Sequence, residues 1–195
     1  MRTNNTAYRI ALVALLTAAS LIVFVVENAF PPLILPGAKL GLANLFTLLT
    51  LVVLTPIDAL IIFLIRAVLG NIIVGNPSAL LYSIPAGLIA LAVSAVLIRL
   101  CMDKISIVAI SVASAVTHNV VQNLVFCLTS GSTAVLSYTP YLALLGVLSG
   151  VIVGAAAYFI LRYLPTSVYE RAWNTLKNNK NDISIDNGGN TVESN

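Results

Sequence analysis

The sequence predicts an all-α integral membrane protein, built as a bundle of six transmembrane helices. Hydrophobic residues make up 59% of the 195 residues and charged residues only 9%, whereas a soluble domain carries about 25% charged residues. The mean hydropathy of +1.00 comes from apolar runs of about 20 residues, the length that a helix needs to cross a bilayer. This composition excludes an ordinary soluble enzyme, and membrane topology explains the net charge of +3 better than nucleic-acid binding does.

Proline, glycine and charged residues mark the limits of the predicted helices. The apolar stretch after Arg9 is longer than the apolar region of a signal peptide, so we expect it to be a retained first helix. Pro56 separates the second span from the third, and the third ends near the Gly-Asn-Pro run 75–77. Pro165 marks the end of the sixth span. The six predicted spans are residues 8–26, 39–55, 57–76, 79–98, 105–128 and 138–164.

The basic residues are divided unequally between the two sides of this predicted bundle. An even number of spans places both termini on one side, while Lys39 falls on the other side and Arg66 lies within the third span. The side of the termini holds Arg2, Arg9, Arg99, Lys104, Arg162, Arg171, Lys177 and Lys180. By the positive-inside rule we expect both termini to be cytoplasmic.

The C-terminal residues 166–195 differ in composition from the predicted membrane domain 1–165. They are polar and rich in Asn. We therefore expect a cytoplasmic tail that begins as a short interfacial helix and is otherwise disordered.

Arg66 is a cation inside an apolar run, with no other charged residue between Asp58 and Arg99. A charge in the hydrocarbon core is costly, so we expect a carboxylate, a water-filled cavity or a bound anion beside it. Counting about 1.5 Å per residue along each predicted helix places polar residues of other spans in the same outer half of the membrane. They are Glu27, Asn44, His118, Asn119, Gln122 and Asn123, with Lys39 at the start of the second span.

Together these residues predict a substrate-binding cavity that opens to the outside. Cationic and amide groups on its walls suit a small molecule with a carboxylate or phosphate and an apolar or ring portion. Three alternatives stay open. Arg66 could form a structural salt bridge with Glu27, the cluster at His118 could join helices by hydrogen bonds, and Lys39 could be an interfacial anchor.

Small residues are spaced four apart along the first and sixth helices. The first helix region has the pairs Ala7/Ala11 and Ala14/Ala18, and the sixth has Gly146, Gly150 and Gly154. Such patterns allow helices to approach closely. The alanines predict a surface for docking another membrane subunit or, alternatively, packing inside the bundle, and the glycines predict tight packing inside the bundle.

Three motifs resemble those of a known bacterial family. They are the run 36–44 with the sequence PGAKLGLAN, Arg66 in the third span, and the run 117–122 with the sequence THNVVQ. This family, the Gx transporter family, is often labelled heptaprenyl diphosphate synthase component I. It is similar to the substrate-binding S components of energy-coupling-factor (ECF) transporters. The resemblance covers roughly residues 7–164.

The resemblance implies a multi-pass protein of the bacterial cytoplasmic membrane that captures a small substrate, such as a vitamin, from outside. It also implies docking on a transmembrane T subunit through the alanine face of the first helix, with two cytoplasmic ATPases supplying the energy. The chain itself has no Gly-x4-Gly-Lys-Ser/Thr motif, so ATP coupling would depend on these partners.

An enzymatic activity is not expected from the sequence. Prenyl diphosphate synthases bind Mg²⁺ through clustered aspartates, whereas the aspartates of this chain are isolated at Asp58, Asp103, Asp182 and Asp186. We predict no catalytic residue, no metal and no cofactor. The alternative to a transport subunit is a non-catalytic accessory subunit of an isoprenoid, quinone or redox system.

Overall fold

The computed structural model describes residues 3–29, 41–101 and 104–163, and all regular structure in these ranges is helical. Its elements are α1 (Thr3–Ala29), α2 (Asn44–Val53), α3 (Pro56–Ile73), α4 (Leu80–Cys101), α5 (Ile107–Ser130) and α6 (Thr139–Tyr163), with short 3₁₀ turns at Pro77–Ala79 and Thr133–Tyr138. The all-α prediction is confirmed. Lys39 and the predicted tail 166–195 lie outside the described residues.

Five of these helices, α1, α3, α4, α5 and α6, are long and apolar enough to cross a membrane. α2 is shorter, because its ten residues rise only about 15 Å, roughly half of the hydrocarbon core. The helices of the described chain therefore support a multi-pass membrane protein. The predicted span 39–55 corresponds to this short apolar helix, which begins at Asn44.

Glycines bring α5 and α6 into close contact, as the sequence predicts. A Cβ atom at Gly150 would lie 2.5 Å from the Cα atom of Val112, and one at Gly154 would lie 2.7 Å from the Cα atom of Val108. Because the obstructing atoms belong to backbone, they cannot rotate away. The two helices can pack at this separation only if these positions carry no side chain.

α1 packs mainly against α3 and α2. Ser20, near the middle of α1, is fully buried and donates a hydrogen bond to the carbonyl oxygen of Ala43, at 3.2 Å. The small residues Ala7, Ala11, Ala14 and Ala18 lie on the exposed side of the helix. In this chain they do not pack inside the bundle.

An ion pair joins α1 to the beginning of α3. The Nη2 atom of Arg9 lies 2.8 Å from the Oδ2 atom of Asp58, and Nε donates to the same carboxylate. Asp58 also forms a capping box with Thr55, which satisfies backbone N–H groups at the start of the helix. The Asp58 side chain is 7% exposed and that of Arg9 is 48% exposed, so only the carboxylate depends on the pair to compensate its burial.

We expect Gly150→Ala to lower the free energy of unfolding by about 1–3 kcal/mol, because the added methyl group would overlap the α5 backbone. Thermal unfolding of the detergent-solubilised protein measures this. Val151→Ile, which adds a methylene to a side chain that is 45% exposed, is the control and should leave the melting temperature unchanged. Equal effects of the two substitutions would contradict the packing described here.

We expect Arg9→Met to destabilise the protein more than Asp58→Asn does. Removing the arginine leaves a buried carboxylate without its cation, at a cost of about 1–3 kcal/mol, whereas the half-exposed arginine can hydrate when the carboxylate is lost. The double variant should recover part of the loss. Thermal unfolding of all four proteins forms a double-mutant cycle, and a larger loss for Asp58→Asn would refute this assignment.

Candidate functional site

A cavity of about 310 Å³ lies among α1 to α5, with Ser149 contributing from α6. Most of the predicted binding residues line it, namely Glu27, Asn44, Arg66, His118, Asn119 and Gln122. Residues from four helices distant in sequence are thus brought to one space, and Asn28, at the end of α1, joins them. Their role in binding a ligand stays a prediction.

Arg66 is 5% exposed and lies in the wall of this cavity. Its Nη2 atom donates a hydrogen bond to Oδ1 of Asn44, at 3.0 Å. The guanidinium carbon lies 5.9 Å from the centre of the Phe24 ring and 5.6 Å from that of Phe63, within range of cation–π attraction. The Nε atom is buried and has no hydrogen-bond partner among the described residues.

Two glycines leave room for the aromatic rings next to Arg66. A Cβ atom at Gly70 would lie 2.5 Å from the Phe24 ring, and one at Gly87 would overlap the Phe63 ring. The Phe24 ring comes from α1 and rests on α3, whereas the Phe63 ring comes from α3 and rests on α4. Both rings beside the cation are thus positioned by contacts between helices.

Glu27 lies in the same cavity and attracts Arg66 electrostatically, without salt-bridge contact between the two side chains. Its Oε1 atom accepts a hydrogen bond from the backbone N–H of Gly41, just before α2. Within the described ranges, the ion pair found is that between Arg9 and Asp58. The carboxylate of Glu27 therefore fastens the end of α1 to the chain entering α2.

The polar cluster of α5 divides between two environments. Asn119 lines the cavity and donates from Nδ2 to the carbonyl oxygen of Leu142, at 2.9 Å. Asn123, one turn further on, is 5% exposed and donates to Oγ1 of Thr139, at 2.8 Å. Asn123 thus joins α5 to α6 and is not among the residues that line the cavity. For this residue, the structure agrees with the alternative that the cluster joins helices by hydrogen bonds.

Several cavity residues were not singled out by the sequence. Asn71 and Asn76 approach from the end of α3 and the turn after it, and Tyr82 and Ser83 from the start of α4. The sequence did contain a signal for Asn71, because it is a carboxamide within an apolar run. In the structure it lies one helical turn beyond Ala67, which also lines the cavity.

Two smaller cavities adjoin the main one and share Asn44 with it. They measure about 30 and 40 Å³, so each has room for a water molecule. Hydroxyl groups line both, including Ser114, and the Oγ1 atom of Thr47 is buried without a partner in the described chain. Polar surface therefore continues from the main cavity toward the middle of the bundle.

A model of one protein family matches residues 16–160 of the chain. Its description is heptaprenyl diphosphate synthase component I. No curated protein and no solved structure matches the chain.

We expect Gly87→Ala to destabilise the protein by about 1 kcal/mol, because the Phe63 ring must leave its place beside Arg66. Replacing the ring as well, in Gly87→Ala/Phe63→Leu, should restore part of the lost stability, since leucine is shorter. Thermal unfolding compares both with Phe63→Leu alone. If the double variant is only the sum of the single ones, the glycine does not position the ring.

Proposed function

The chain belongs to the heptaprenyl diphosphate synthase component I family, and from that premise we propose that it is a membrane subunit that captures a small anionic molecule from the outer side. The observation that carries this proposal is Arg66, a buried cation in the wall of a polar cavity with no carboxylate in salt-bridge contact among the described residues. Glu27 attracts the guanidinium without touching it, and an anionic ligand would supply the direct ionic contact.

The surroundings of Arg66 leave N–H donors for a ligand. Phe24 and Phe63 lie against the guanidinium, and Asn44 takes one of its five N–H donors. The remaining in-plane donors match the geometry of a carboxylate or phosphate, which arginine binds in a bidentate manner. Arg66 would therefore bind and orient the anionic group.

The size and lining of the cavity fit a small molecule. Its volume of about 310 Å³ lies at the lower end of ligand pockets, which range over about 300–1,000 Å³. Tyr82 supplies an aromatic surface and the carboxamides supply orienting hydrogen bonds. These features suit a compact molecule that combines a ring or short apolar portion with polar groups.

The topology that we propose has six membrane-embedded segments with both termini in the cytoplasm, in the cytoplasmic membrane of a bacterium. Arg9, Arg99, Lys104 and Arg162 all lie near helix ends of one side in this arrangement, as the positive-inside rule requires. Arg66 and the other cavity residues belong to the opposite half. The cavity would then receive its ligand from outside the cell.

Transport of the captured molecule would need partner subunits, because the sequence has no phosphate-binding nucleotide motif. We propose an ECF-type T subunit and cytoplasmic ATPases as these partners. The exposed alanines of α1 support docking of a membrane helix, since small side chains let helices approach closely.

The second candidate function follows from the family description, which names a component of a synthase. Under it the chain is a non-catalytic accessory subunit of an isoprenoid or quinone system, in complex with an enzyme. Affinity purification under mild detergent separates the two: a prenyl-transferring enzyme would support the accessory role, and ATPases with a T subunit would support transport.

We expect Arg66→Met to abolish ligand capture. Protein purified from cells should carry an anionic small molecule that mass spectrometry detects after denaturation, and the variant should lose it, because methionine keeps the apolar stem without the charge. Arg99→Met is the matched control and should retain the molecule. Arg99 is exposed in the last turn of α4, whereas the cavity is lined by residues at the start of that helix.

Arg66→Lys guards against a folding artefact, because it keeps the charge and loses the planar donors. We expect it to fold and to bind at least about 10-fold more weakly. A wild-type protein without any bound anion, or equal retention in Arg66→Met, would refute the capture of anions by this cavity.

We expect Ala14→Leu to weaken association with the T subunit while leaving thermal stability unchanged, because Ala14 is exposed on α1. Co-purification with tagged partner subunits measures the association. Ala92→Leu, at an exposed position of α4, is the matched control and should assemble normally. Equal assembly of both variants would argue against docking through α1.

A further inference from the structure

Three carboxamides in the cavity wall are fixed by their amino groups. Asn28 donates from Nδ2 to the carbonyl oxygen of Phe24, at 2.6 Å, and Asn71 donates to that of Ala67, at 2.8 Å. Asn119 donates to the carbonyl oxygen of Leu142, at 2.9 Å. Because only the amino group of a carboxamide can donate to a carbonyl oxygen, these contacts determine the orientation of each amide.

The same contacts leave the three Oδ1 atoms without a donor. No hydrogen bond to Oδ1 of Asn28, Asn71 or Asn119 comes from the residues that the structure describes. Asn71 is 4% exposed and lines the cavity, so its carbonyl oxygen has little access to water except there. None of the three oxygens is a fully buried atom without a partner, so water or a ligand in the cavity can donate to them. A ligand that displaces this water without donating would lose these hydrogen bonds.

Asn44 has the opposite orientation. Its Oδ1 atom accepts from Arg66, so its amino group is the part left to interact with the cavity, where it adds a donor to those of the guanidinium. The cavity lining thus offers donors at Arg66 and Asn44 and acceptors at Asn28, Asn71 and Asn119.

We propose that the ligand is an anion that also carries several hydrogen-bond donors, such as hydroxyl, amino or ring N–H groups, in addition to its charged group. This inference rests on the proposed function, since it takes the anionic group to be bound at Arg66. It disfavours a prenyl diphosphate, whose hydrocarbon tail has no donor to replace water at these carbonyl oxygens.

Four aromatic acids of similar size test the inference. 4-Aminobenzoate and 3,4-dihydroxybenzoate offer donors opposite the carboxylate, whereas 4-nitrobenzoate and 3,4-dimethoxybenzoate offer only acceptors. Affinities for the purified full-length protein are measured by calorimetry in detergent at one ionic strength. We expect each donor-bearing acid to bind at least about 10-fold more tightly than its partner, the equivalent of one or two hydrogen bonds.

Variants locate the effect. Asn119→Leu should reduce the preference for donor-bearing acids, whereas Asn123→Leu, the matched control one turn away, should not, because Asn123 bonds to α6 outside the cavity. Asn28→Leu is the second test variant, since the bond that it loses lies within α1 and its effect on folding is small. An unchanged preference in both Asn119→Leu and Asn28→Leu would overturn the assignment of the acceptor wall.

The outcomes separate this inference from the proposed function. Equal affinities for donor-bearing and acceptor-bearing acids, all lost in Arg66→Met, would overturn the inference and leave anion capture intact. Binding of none of the four acids would count against both. A donor preference that depends on Asn28 and Asn119 and requires Arg66 would support both.

Discussion

The burial of one cation in an apolar bundle is the constraint that the rest of the structure meets. Arg66 has lost nearly all contact with solvent, and an isolated charge there is costly. The surrounding helices offset this cost with a carboxamide oxygen from α2 and two aromatic rings. Each ring needs a glycine on the helix that it packs against. The residues that stabilise this one guanidinium therefore come from four helices, and a polar cavity lies next to them.

α1 forms one wall of that cavity and is bonded to the rest of the bundle at three positions along its length. At one end Arg9 pairs with Asp58, in the middle Ser20 bonds to the chain before α2, and at the other end Glu27 accepts from Gly41. These polar contacts are few, and the outward side of the helix stays uncovered. α5 and α6, by contrast, are held by glycine-mediated backbone contact along their length. The bundle therefore combines a tightly packed pair with a helix attached at discrete points.

Hydrophobic run length was sufficient to predict an all-helical membrane protein, because apolar segments of bilayer length have few other stable conformations. It did not predict that the second helix covers only about half of that length. Depth counting also placed Asn44, Arg66 and His118 together, since helical rise converts sequence position into height. It could not decide which way a side chain faces, so Asn123 was grouped with the cavity and Asn71 was overlooked. The Arg9–Asp58 pair was missed for a related reason: sequence alone does not say which helices are neighbours.

If the cavity binds an anion as we propose, the position of Phe24 has a consequence for the release of that ligand. The ring belongs to α1, whereas the glycine beneath it and the cation beside it belong to α3. A partner that moves α1 away from α3 would therefore remove the Phe24 ring from beside the guanidinium and admit water to the charge. Water raises the local dielectric and weakens the attraction between the cation and a bound anion several-fold. Such a partner could release the ligand by moving a helix, without contacting the ligand or competing for its binding site.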